Sequence, residues 1–70
     1  MMPLNLAPRN EDNTIKRVGG NEQTKKHLEN LGFVPGAVVK VVNEMSGNVI
    51  VNIKESRVAI SKEMAAKILV

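Results

Sequence analysis

The chain has no cysteine, tryptophan or tyrosine, and its 70 residues include one phenylalanine and one histidine. Without cysteine there can be neither a disulfide nor a thiolate zinc site, the staples on which small domains often rely. This composition suits a reducing compartment. The near absence of aromatics removes the stacking platforms that grip single-stranded nucleic acid and the walls of a polyproline groove. No apolar run approaches the roughly 20 residues of a membrane span. The opening MMPLNLAPRNED has no basic region followed by an apolar stretch, so it does not read as a signal peptide. The expectation is a soluble, cytoplasmic protein. A chain this short forms one domain and buries only about 60% of its unfolded surface. With 43% apolar residues and Phe33 as the one aromatic, its core must be aliphatic.

Charge is present but dispersed. The net charge of +3 raises the question of nucleic acid. The basic doublets Lys16-Arg17 and Lys25-Lys26 stand apart, and Glu22 and Glu29 lie close to the second. This is the pattern of a solvated surface of mixed sign.

Residues 1–13 are polar and contain two prolines, which reads as a loosely packed N-terminal arm whose Leu4 and Leu6 could still tuck onto the core. Residues 14–70 read as the folded domain. Thr14 to Val18 is a weak strand ended by Gly19-Gly20. Asn21 can cap a helix by accepting from a free first-turn amide, and Glu22 follows where the helix dipole favours an acid. Thr24, Leu28 and Leu31 fall on one face, predicting a helix over residues 22–31 with Gly32 as its left-handed stop. Pro35-Gly36 fits the centre of a type II turn. Val38 to Val42 is a strand of β-branched residues. Asn43 to Asn48 reads as a hairpin loop, and Val49, Val51 and Ile53 alternate as the next strand. Glu55-Ser56 reads as a two-residue turn before a strand at Arg57–Ile60. Ser61 caps a helical turn, and Lys67–Val70 is the last strand. About five short, closely spaced strands with one inserted helix predict a mainly β protein, a small closed or nearly closed barrel.

No catalytic constellation accompanies these elements. Nucleophilic catalysis needs an activated side chain beside a base. Here Ser46, Ser56 and Ser61 all sit at turns or caps. His27 has no motif around it and reads as a partly exposed structural histidine. Metal ions want several converging ligands, and no pair of histidines exists. Glu11-Asp12 lies in the arm. Gly19-Gly20 lacks the lysine and serine of a phosphate loop. No cofactor is implied. What remains is a non-enzymatic binding module acting through a surface.

From Leu28 to Val42 the chain shows Leu28, Leu31, Gly32, Phe33, Pro35, Gly36, Val39, Val41 and Val42 in the spacing L-x-x-L-G-F-x-P-G-x-x-V-x-V-V. This resembles the FeoA family of bacterial ferrous iron transport. The likeness extends upstream to Ile15-Lys16-Arg17-Val18 and downstream through Gly47, Arg57 and Ala65-Ala66-Lys67-Ile68-Leu69-Val70. Three features depart from the family: Arg9 follows Pro8 where glycine is usual, the hairpin tip is Ser46-Gly47-Asn48, and Glu55-Ser56 replaces a glycine.

The resemblance implies an SH3-like β-barrel. It also implies a cytoplasmic adaptor for the ferrous iron permease FeoB, contacting its GTPase-bearing region without nucleic acid or membrane insertion. The same domain closes iron- and manganese-dependent repressors, but this chain has no helix-turn-helix. The candidate contact residues are Lys25, Lys26 and Glu29 on the helix, with Arg17 and Arg57 as arginines able to reach a partner. An arginine could also act on a nucleotide in trans. The rival readings are a nucleic-acid-binding small barrel and a direct ferrous-ion carrier.

Overall fold

Alternating valine and isoleucine set the central pair of strands. The computed structural model describes residues 1–70 and contains six strands: β1 (Asp12–Thr14), β2 (Arg17–Val18), β3 (Val38–Met45), β4 (Asn48–Ile53), β5 (Ser56–Ser61) and β6 (Ile68–Leu69). It also has helix α1 (Glu22–Asn30), the single-turn helix α2 (Lys62–Ala65) and a 3-10 turn at Leu4–Leu6. One antiparallel sheet runs β1-β3-β4-β5, and a second pairs β2 with β6. No ladder joins the two sheets, so the barrel-like fold is not closed by hydrogen bonds. The mainly β architecture is the predicted one, with six strands rather than five.

Strand periodicity puts Val39, Val41, Val49, Val51 and Ile53 inward, all buried, between exposed or half-buried neighbours. Each such burial is worth about 1.5–3 kcal/mol. Val42 is the extra residue of a bulge, because the register passes from Val41↔Val51 to Asn43↔Ile50. Bulges of this kind bend a strand and increase its twist. Ile60, Leu28, Phe33, Ile15, Ile68 and Leu4 complete a core that contains no buried polar or charged residue.

The ends of α1 follow the sequence closely. Asn21 accepts from the Thr24 amide at 2.8 Å. Leu31 is the C-cap, one residue short of the predicted end, and Gly32 adopts φ +101°. The Gly32 amide donates to Glu29 and the Phe33 amide to Leu28, both at 2.9 Å. This is the paired pattern of a Schellman stop. Its hydrophobic partners, Phe33 and Leu28, are both buried. The Val34–Ala37 turn closes with the Ala37 amide on Val34 O at 3.0 Å and Gly36 at φ +92°, the predicted conformation. Ser61 Oγ accepts from the Met64 amide at 3.1 Å and caps α2.

Four local expectations change. The arm is not loose throughout: Leu4 is fully buried and Ala7 is buried, whereas Leu6 is 68% exposed. Met2 and Val70 exchange backbone bonds at 2.9 Å, and Pro3 bridges Leu69. Thr14–Val18 is two strands in two sheets rather than one. Between them Ile15 is fully buried, its amide bonded to Ala37 O and its carbonyl to the Gly36 amide, both at 2.8 Å. Asn43–Met45 is strand rather than loop, and the turn is Ser46-Gly47 alone, with φ +49° and +80°. Two positive φ values give the primed turn whose twist matches a hairpin. The next turn is Lys54-Glu55, one residue earlier than expected, because Ile53 pairs with Ser56 and Lys54 takes φ +54°.

Candidate functional site

The break at Ile15 decides where the charged side chains go. Burying Ile15 leaves Lys16 and Arg17 exposed as the chain enters β2. On α1, Lys25 and Glu29 are four residues apart and share a face. The two elements, with Phe33, Val34 and Pro35 beyond the helix stop, enclose an open groove of about 320 Å³. Its charged lining is Lys16, Arg17, Lys25 and Glu29, and its apolar lining includes Val18, Phe33 and Val34.

None of these four side chains takes part in an ion pair. The molecule has three ion pairs: Arg9–Glu44 at 3.8 Å, Lys40–Asp12 at 3.7 Å and Lys62–Glu44 at 3.1 Å. Glu44 thus links the N-terminal segment and α2 to β3, through exposed contacts worth little individually. None of the pairs involves the groove, whose side chains carry three positive charges and one negative.

The structure brings together Arg17, Lys25 and Glu29 of the five candidate contact residues. Lys26 is exposed on α1 but outside the groove. Arg57 lies on β5 across from Asn52, where its Nε donates to Asn52 Oδ1 at 3.2 Å, and it lines a different recess. The motif residues Leu28, Leu31, Gly32, Phe33, Pro35 and Gly36 are chiefly architectural, although Phe33 and Pro35 also border the groove. Lys16, Val18 and Val34 are groove residues not chosen from the sequence. The only available signal was the upstream basic strand, and its break into two directions is a tertiary effect.

Two other regions gather polar side chains. His27 is exposed and lines a cleft with Gln23, Thr24, Asn30 and Met64 between α1 and α2. No three His, Asp or Glu side chains converge anywhere. On the outer face of the sheet, Asp12, Lys40 and Asn52 border a shallow recess of about 410 Å³ with half-exposed Val38. Lys54, at its edge, packs its aliphatic stem over the Gly32 backbone, placing a cation at the carbonyl end of α1, where the helix dipole favours it.

A small mainly β domain of two sheets, with an inserted helix and a basic groove on one flank, is the class these features define. A model of the FeoA domain matches residues 2–70, and the chain belongs to that family. A protein of Methanocaldococcus jannaschii named Fe(2+) transport protein A is 31% identical over 70 residues, covering all of this chain and 85% of that one. The crystal structure of an iron uptake regulatory protein, FeoA, is 25% identical with a TM-score of 0.85, over 96% of this chain and 89% of that one. Stenotrophomonas maltophilia FeoA, solved with zinc and described as a procaryotic SH3 domain protein, is 23% identical with a TM-score of 0.84, over 99% and 88% of the two chains. At that identity the likeness speaks for the fold, which is the SH3-like barrel that the motif implied.

Proposed function

We propose that this chain is a non-enzymatic accessory of ferrous iron uptake. In this reading it works in the cytoplasm and binds the cytoplasmic, GTPase-bearing region of a FeoB-type permease. Membership of the FeoA family supports the link to iron transport, as does the relative named for Fe(2+) transport. The observation that carries the mode of action is the groove. Three cations and a carboxylate, none of them in an ion pair, stand over an apolar floor, which suits recognition of another protein. Glu29 inside the groove and the absence of Trp and Tyr disfavour nucleic acid, which needs cations along a backbone and stacking platforms.

Calorimetric titration against the permease's cytoplasmic domain, with and without guanine nucleotide, tests the reading. Saturable binding is expected. Absence of heat in both conditions at high micromolar concentration sinks it.

A further inference from the structure

The groove has a feature beyond its charge. Lys16, Arg17 and Val18 are consecutive, yet all three line it. Alternate side chains of an extended segment point to opposite faces. Three neighbours border one groove when it runs along the segment's edge. β2 has such an edge: it pairs with β6 alone.

The hydrogen-bond parity of that pair shows which groups are free. The Gly19 amide donates to Lys67 O at 2.7 Å, and the register continues as Val18↔Ile68 and Arg17↔Leu69. Bonded and non-bonded pairs alternate in an antiparallel ladder; the irregularity in this one lies before Arg17, where the Lys16 amide also turns to Leu69 O at 2.7 Å. Gly19↔Lys67 is bonded, so Val18↔Ile68 is a non-bonded pair, and the Val18 N–H and C=O point away from β6. Neither group appears in any backbone bond outside the ladder. The groove therefore offers one unpaired main-chain donor and one acceptor, with Arg17 and Lys16 beside them and Lys25 on the opposite wall.

We infer that the groove takes an extended, acidic segment of a partner protein, which adds as a strand to the free edge of β2. Its main chain bonds Val18, its carboxylates meet Lys16, Arg17 and Lys25, and an aliphatic side chain rests on Val34 and Pro35. Strand addition of this kind draws affinity from main-chain bonds and specificity from alternate side chains. The occupant is acidic because three cations in the groove face a single carboxylate, Glu29, and none of the four is held in an ion pair. This rests on the proposed function only in assuming that the groove faces a partner; the occupant's chemistry comes from the groove itself.

The test uses the intact chain and a blocked, fluorescently labelled Glu-Val repeat peptide, with polarisation as readout. Saturable binding at micromolar to millimolar peptide is expected. It should weaken about ten-fold in the Arg17→Ala/Lys25→Ala double variant, whose changes are on exposed or half-buried surface, and weaken further with added salt. The same peptide with N-methylated backbone amides should bind far more weakly, while a Lys-Val repeat should not bind. Failure to bind, equal binding of the Lys-Val peptide, or indifference to N-methylation each overturns the inference. So does tighter binding of an oligothymidylate than of the acidic peptide.

The two readings fail separately. Peptide binding without permease binding leaves the groove's chemistry standing and removes the partner. Permease binding that the double variant leaves unchanged keeps the partner and removes the groove.

Discussion

Phe33 is the residue on which most local structure converges. It follows the left-handed Gly32, donates its amide to Leu28 and is 1% exposed. No other aromatic shares its load, so its ring fills a volume that aliphatic neighbours cannot close by repacking. Phe33→Ala is expected to cost about 3–5 kcal/mol. Against a total of roughly 4–10 kcal/mol for a domain of this size, that is a large fraction. Urea denaturation followed by circular dichroism measures it, and a cost below about 1 kcal/mol would show that the core does not depend on this ring. Phe33 also borders the groove, so stability has to be read before any loss of partner binding in this variant is assigned to contact.

At the scale of elements, the structure separates what a sequence pattern can specify from what it cannot. The stops and caps were legible because their causes are local: Asn21 needs only its own first turn, Gly32 only a positive φ, and Ser61 only the Met64 amide. The hairpin ends were not. Ser46 and Lys54 occupy the left-handed region without being glycine, and Asn43-Glu44-Met45 looks like loop yet continues the ladder. Pairing with β4 supplies what the side chains do not advertise. The groove was half legible. Charge picked out Arg17, Lys25 and Glu29, but equally Lys26 and Arg57, because composition carries no information on which face a residue joins. Only the burial of Ile15, a tertiary choice, turns residues 16–18 toward α1.

The Ser46-Gly47 turn gives the element-scale prediction. Both residues have positive φ, and asparagine tolerates that region better than serine at the first position of a primed turn. Ser46→Asn should stabilise the hairpin by about 0.5 kcal/mol, equivalent to a rise in Tm of about 2–4 °C. A thermal melt checks this; a fall in Tm would mean that the Ser46 hydroxyl itself stabilises the turn.

At the scale of the whole molecule, the question is how two sheets that share no ladder hold together. Part of the answer is the N-terminal segment. Leu4 is fully buried, Ala7 is buried, Met2 and Val70 bond in both directions, and Asn10 donates to Val41 O at 2.7 Å. The segment therefore touches the β6 end of the small sheet and the middle of β3 in the large one. The two leucines of the segment were legible as anchors, but the sequence did not tell them apart: Leu4 is buried and Leu6 is 68% exposed. Losing Leu4 alone should cost about 2–5 kcal/mol, as for other fully buried leucines. Deleting residues 1–7 also strips the bonds to Val70, so the deletion should exhaust a stability of only roughly 4–10 kcal/mol. The truncated chain is expected to lose amide dispersion in its nuclear magnetic resonance spectrum and its cooperative thermal transition. If it instead melts within a few degrees of the intact protein, the segment is an appendage. The contact between the sheets must then come from Ile15 and the turn at Gly36-Ala37, the other covalent neighbourhood where the chain passes from one sheet to the other.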